Sequence, residues 1–415
     1  MKRFIFVLLL LPMALAGQTY KLEDLVNYGL EHSWDMQKSE LGLESSRSAY
    51  RSSKWNLLPD VSVFAGIDQD LTDNSAPRSS LSSSAGFSVS KTISLNDAAY
   101  FQYRYASLDR ETAEMEYSSA RRKYAYDVVN AYFNVLSSQK RLASLTENLN
   151  IQTRVLEHSR VLFELGRNTN FDVKQSEIAV MSSQVAIIQL QNTIETARRS
   201  LFDLIQKADE GYPLEDIGLS DEYTVPAVDP EQIESIRMLK QSIKRNDIGL
   251  LQSKLDYFPN LSLAYNFRRS VGGDDFDFDT YSTVHGLSLN LSYSLWSPFR
   301  NKESYSRNRI NNQMAELNLN SSITGINSQY QRINSQLGYL QRLDELYLEQ
   351  LEQSRQQISI AEERYRLGLI ELLELDKTRT AYIDADINYS ANRYQILQVR
   401  EELNYLLSQR ILGIW

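Results

Sequence analysis

The last proline of the chain is Pro298, and the stretch after it constrains everything else. Apolar residues recur there at alternating steps of three and four, through Ile323, Ile326, Tyr330, Ile333, Leu337 and Leu340. After one slip the stripe continues through Leu343, Tyr347, Leu351, Ile358, Ala361 and Tyr365. Such a heptad seam marks a helix that supercoils against neighbours. The pattern predicts one helix from about Asn301 to Leu367, roughly 100 Å long at about 1.5 Å per residue. No globular domain of this chain length needs a rod of that length.

The rod is one of two. A second proline-free stretch, about 97–165, carries a seam through Tyr117, Ala120, Tyr124, Val128, Ala131, Val135, Leu142, Leu145, Leu149, Leu156 and Phe163. Matching breaks close the two rods, Phe163-Glu164-Leu165-Gly166 and Tyr365-Arg366-Leu367-Gly368, and return helices follow at about 171–207 and 372–411. Upstream of each rod the period changes to two. After Leu58-Pro59-Asp60, Val61, Val63 and Ala65 alternate with Ser62 and Phe64, and Phe87, Val89 and Ile93 alternate with Ser88, Ser90 and Thr92. After Phe258-Pro259-Asn260, Leu261, Leu263, Tyr265 and Phe267 share one face, and Leu287, Leu289 and Leu291 alternate with Ser288, Asn290 and Ser292. A helical pattern precedes each strand pair, at 22–55 (with a break near Ser33-Trp34-Asp35) and at 231–256.

The order helix, strand, strand, long helix, turn, return helix therefore occurs twice, offset by about two hundred positions. Residues 17–230 form the first repeat, with strands about 59–67 and 86–95, a helical hairpin 97–207 and an irregular segment 208–230. Residues 231–415 form the second, with strands about 259–268 and 286–296 and a hairpin 301–411. Residues 1–16 read as a signal peptide: Lys2 and Arg3 precede an apolar run, and Ala14-Leu15-Ala16 offers a small-x-small cleavage site. The alternative, a membrane anchor, needs about 20 apolar residues, more than this run has.

The strands, at about nine residues, are long enough to cross a bilayer when tilted. Trp55, Tyr100, Phe101, Tyr103, Tyr257, Phe258, Trp296 and Phe299 cluster where strands meet helices. They fit either an interfacial aromatic girdle or the packing of the junction itself. Four strands cannot close a barrel, and lipid does not tolerate open sheet edges. Two copies would give eight strands with a nearly filled interior, whereas three give about twelve and a water-filled pore lined by serines. Short connections at Pro59, Asn96, Pro259 and Pro298 put the helices on the periplasmic side. The loops Asp68–Ser80 and Val271–Asp279 then point outward.

Chemistry is sparsely encoded. The net charge of -9 argues against nucleic acid as a partner. With no cysteine, disulfides, thiolate metal sites and cysteine lipidation are excluded. His32, His158 and His285 lie in separate segments with no ligand-spaced pair, and neither a phosphate-binding glycine loop nor a nucleophile elbow is present. No catalytic, metal or cofactor site is expected.

In its duplication, its Leu-Pro strand starts, its strand pairs and its aromatic-x-x-Gly turns, the chain resembles the TolC-type outer-membrane efflux channels, the outer membrane factors. The resemblance implies a mainly α fold with a β-barrel part: a homotrimeric twelve-stranded barrel in outer-membrane lipid, continued by a periplasmic α-helical barrel. It implies a passive exit duct of a tripartite efflux or type I secretion system, opened by a periplasmic adaptor (membrane fusion protein) and driven by an inner-membrane pump. The turns at Phe163, Gly166, Tyr365 and Gly368 would form the periplasmic tip, and 208–230 an equatorial belt. Such channels often carry inward acidic residues six and nine positions after the second turn's glycine. Here those positions hold Glu374 and Lys377, so one acidic constriction at most is implied, with Asp172 and Asp376 as further candidates. Arg167 and Arg366 are candidates to bridge these carboxylates in a closed state. The same acidic residues could instead be helix-start charges favoured by the helix dipole. A periplasmic adaptor or an envelope-spanning structural coiled coil remain the alternatives to a channel.

Overall fold

The computed structural model describes residues 19–69, 81–167, 169–218, 223–272 and 282–414. The expected signal peptide, 1–16, and most of both expected outer loops lie outside them. In chain order come helices α1 (Leu22–His32) and α2 (Trp34–Trp55), strands β1 (Asp60–Gln69) and β2 (Leu81–Ile93), and helices α3 (Ala98–Glu164) and α4 (Asn170–Ile205). Helix α5 (Glu234–Leu255), strands β3 (Asn260–Gly272) and β4 (Ser282–Ser292), and helices α6 (Ser297–Arg366) and α7 (Leu372–Leu406) follow.

The two rods are single helices of 67 and 70 residues. Pro298 falls in the first turn of α6, where a backbone N–H has no helical acceptor and its loss costs nothing. Within the seams Tyr124, Val128, Val135 and Leu156 of α3, and Ile333, Leu337, Leu340 and Ala361 of α6, are buried.

Several boundaries differ from the sequence reading; β4, expected at about 286–296, runs Ser282–Ser292, and α6 begins at Ser297 rather than near 301. The strands run 10, 13, 13 and 11 residues, because ladder pairing continues through stretches such as Ser82-Ser83-Ser84 whose side chains show no alternation. Helix α7 ends at Leu406 rather than near 411. Ser408 takes a left-handed φ of 56°, so that its N–H reaches Tyr405 O at 3.1 Å and that of Gln409 reaches Asn404 O at 2.8 Å. A serine at such a cap carries little sequence signal, since glycine is the usual occupant.

The chain divides into two compact units, each drawing on both repeats. The first comprises Met1–Lys38, Ser119–Asp229 and Ile326–Trp415. Its core gathers Leu25, Val26, Val128, Tyr132, Phe133, Leu201, Phe202 and Ile205. The Tyr132 hydroxyl, within 2.9 Å of Tyr20 O and 2.7 Å of Glu215 O, ties the extended segments before α1 and after α4 to α3. A Cβ on Gly29 would overlap the Tyr124 ring, so only glycine lets α1 approach α3 this closely.

The second unit comprises Ser39–Ser118 and Pro230–Gly325. Here the helices meet through mixed polar and aromatic contacts: Tyr50 stacks on Tyr103 at 5.6 Å, and Asn308 Nδ2 donates to Gly249 O at 3.2 Å. Asp256 fixes the junction to the strands. Its carbonyl accepts from Asn301 at 2.7 Å, and its carboxylate accepts from Asn96. The four strands form one antiparallel sheet in the order β1-β2-β3-β4.

Candidate pore face and hairpin tips

Register gives the sheet two chemically distinct faces. Val61, Val89, Tyr265 and Leu287 oppose one another across the four strands, as do Val63, Phe87, Phe267 and His285. Ile93, Leu261 and Leu291 continue the apolar face towards the helices. Each step of one residue turns to the other face, where Ser62, Ser88, Asn266 and Gly286 form a row and Thr92, Ser262 and Asn290 another. Ser62 and Ser88 are hydrogen-bonded at 2.7 Å.

Among the described residues nothing covers the apolar face. Val63 is 83% exposed and Leu287 75%, which water would oppose by about 25 cal/mol for every Å² left bare. Trp55, Tyr257, Phe258, Trp296 and Phe299 are likewise exposed beside the strand–helix junctions. Phe101 departs from that set: it is buried, and so packs the junction rather than joining a girdle. β1 and β4 each lack a partner on one side among the described residues.

At the far ends of α3 and α6 the two turns are built alike. Gly166 and Gly368 both take φ 71°. Gly166 N–H bonds Phe163 O at 2.9 Å and Arg167 N–H bonds Leu162 O at 2.8 Å; Gly368 and Leu369 repeat this on Tyr365 and Arg364 at 2.9 and 2.8 Å. This doubled closure, with a left-handed residue after the helix, satisfies carbonyls the helix leaves orphaned. Phe163 and Tyr365 remain exposed.

The two return helices begin differently. Thr169 caps α4: its hydroxyl accepts from Asp172 N–H, and the Asp172 carboxylate accepts from Thr169 N–H at 2.8 Å and Thr169 Oγ1 at 2.7 Å. These bonds, the hydroxyl first, hold the Asp172 carboxyl below the usual carboxylate range. The T-x-x-D spacing is a capping signature that the sequence reading passed over. Glu371 occupies the equivalent position before α7 and makes no side-chain cap.

The candidate acidic residues are therefore not equivalent. Glu374 is exposed. Asp172 is half-buried and lines a cleft of about 470 Å³ with Glu371, Lys377 and His158. Asp376 differs again: only 1% exposed, it lies 3.6 Å from both Arg154 of α3 and Arg379 of α7. Burial pushes its carboxyl up, against the pull of the two guanidiniums. Arg379 also reaches Glu362 of α6 at 2.9 Å, so three helices share one charge network. Nothing in a single sequence brings Arg154 to Asp376. Arg366 has a partner on its own helix. It pairs with Glu363 one turn back, at 2.6 Å, since that carboxylate is on its own helix face. Arg167 is exposed beside Gly166.

Residues 25–205 and 235–409, one stretch in each repeat, match the family model described as outer membrane efflux protein. The chain is 21% identical over 419 residues to the outer membrane protein TolC of Vibrio cholerae, covering 95% of this chain and 92% of that protein. It is 26% identical over 259 residues to the toluene efflux pump outer membrane protein TtgC of Pseudomonas putida, spanning 59% of this chain and 53% of that one. The solved outer membrane protein VceC of Vibrio cholerae shares the fold, with a TM-score of 0.78 at 14% identity over 94% of this chain and 96% of its own.

Proposed function

Because the chain belongs to the outer membrane efflux protein family, whose members are outer-membrane channels with a long periplasmic part, we propose that it is the duct subunit of a tripartite efflux or type I secretion system. Three copies pool their sheets into a twelve-stranded barrel, a periplasmic adaptor opens the helical tips, and an inner-membrane pump supplies the energy. Conduction through such a duct needs no catalytic group.

One observation carries this reading. The sheet has a bare apolar face, a serine-rich opposite face and two edges without a partner among the described residues. Lipid accepts the first, water the second, and only further copies can close the edges. An adaptor or a soluble coiled coil would have no use for an uncovered apolar sheet.

The test is physical. Purified protein in mild detergent is expected to run as a heat-sensitive trimer and to conduct ions in a planar bilayer; a monomer that does not conduct rules the duct out. At the tip, Glu374 from three copies would form an acidic constriction with Asp172 near it. Replacing both with alanine is then expected to reduce cation preference. Unchanged selectivity would remove the ring and leave the duct.

A further inference from the structure

We propose that Phe64 and Arg268 form a selectivity collar in the outer part of the pore, favouring anionic solutes that carry an aromatic ring. This rests on the duct reading above, since the polar face of the sheet must line the lumen. The rows on that face are mostly small and uncharged. Ser62, Ser88, Asn266 and Gly286 form one, and Gly66, Ser84, Ser270 and Ser282 another. Between these two lies a row of different character: Phe64 opposite Gly86, Gly86 opposite Arg268, and Arg268 opposite Val284.

Glycine makes the arrangement possible. A Cβ on residue 86 would clash first with the backbone carbonyl of Phe267, and would come within 2.9 Å of Phe64 Cζ and 3.0 Å of Arg268 Cα. The phenyl ring therefore lies across β2 in the space a side chain would take, pointing towards the strand that carries Arg268. Both residues are exposed, on the loop side of the sheet's middle. Twelve strands spaced about 4.8 Å apart and tilted about 40° make a ring about 24 Å across at the backbone. Threefold symmetry would set three phenyl rings and three guanidiniums inside it.

A guanidinium pairs with a carboxylate or sulfonate through two parallel N–H donors, and a phenyl face stacks offset on another ring. Together they recognise an aromatic anion, weakly enough in a wet lumen for release. Asp60 and Asp68 share the polar face and oppose the cation, so the informative quantity is the change on substitution.

The experiment uses the full-length channel in a planar bilayer with a salt gradient, and 2-naphthalenesulfonate and methanesulfonate as probes. Wild type is expected to be blocked at least tenfold more strongly by the aromatic sulfonate. Arg268→Gln is expected to shift the reversal potential towards cation preference and weaken block by naphthalenesulfonate about tenfold, the scale of one charge-assisted pair. Phe64→Leu is expected to weaken that block several-fold and leave the reversal potential in place. Equal block by the two probes in the wild type overturns the collar, whether or not the variants assemble. So do variants that conduct with unchanged block and reversal potential. A wild-type protein that does not conduct overturns the duct and the collar together.

Discussion

Residue by residue, the tips show how one turn can be written twice with different fastening. Gly166 and Gly368 share a left-handed φ of 71°, and both were legible because a glycine after a heptad stripe has few other uses. The cap that follows was not duplicated. Asp172 is held below the usual carboxylate range by Thr169. Its contribution is therefore complete above the unfolded value of about 3.9 and lost as pH falls through the folded one. Amide exchange at Phe171–Lys174, taken relative to the intrinsic rate at each pH, is expected to quicken as pH falls below about 4. Thr169→Ala should raise it at neutral pH as well, whereas Glu371→Ala should leave the start of α7 as it was. Equal effects at the two helices would show that the Thr169 cap is not what secures α4. Asp376 titrates in the opposite sense. Its carboxyl is raised, so its share of stability is present at low pH and falls as pH rises through the folded value.

At the scale of elements, the strands carry the argument. Their faces were readable from period two alone, since a one-residue step exchanges faces. Their lengths were not, because backbone pairing extends past the last informative side chain. The two faces predict opposite tolerance. Leu289→Asp lies on the apolar face and Ser288→Asp on the other. At the middle of a bilayer an exposed Arg or Lys costs about 2–4 kcal/mol and Asp somewhat less, and in the proposed trimer each copy would bear that cost. Leu289→Asp is expected to lose most heat-modifiable oligomer from the outer-membrane fraction, while Ser288→Asp assembles and alters ion preference. If the two behave alike on a gel, the assignment of faces is wrong.

For the whole molecule, the surface left bare by one chain describes its assembly. On α4, Ile178, Met181, Val185 and Ile188 are exposed at heptad spacing, and on α6 so are Ile310, Met314 and Leu317. Stripes of this kind are half of a helix–helix contact. In the proposed trimer a neighbouring copy would cover them. Met181→Glu with Ile188→Glu is expected to lower the temperature at which the oligomer dissociates on a denaturing gel by several degrees. Gln184→Glu, on the same helix, should leave it nearly unchanged. A dissociation temperature indifferent to the first pair would place the interface elsewhere.

Periodicity is local, and what it governs could be read without coordinates: two rods, their breaks, two strand pairs and the repeat that relates them. Hydrophobic spacing alone settles which side of a helix or strand avoids water. Contacts between residues far apart in the chain leave no such trace. The meeting of Arg154, Asp376, Arg379 and Glu362, and the phenyl ring of Phe64 laid over Gly86, came only from folding. Each depends on which helix or strand lies beside which and in what register, and spacing within one element carries no information about either.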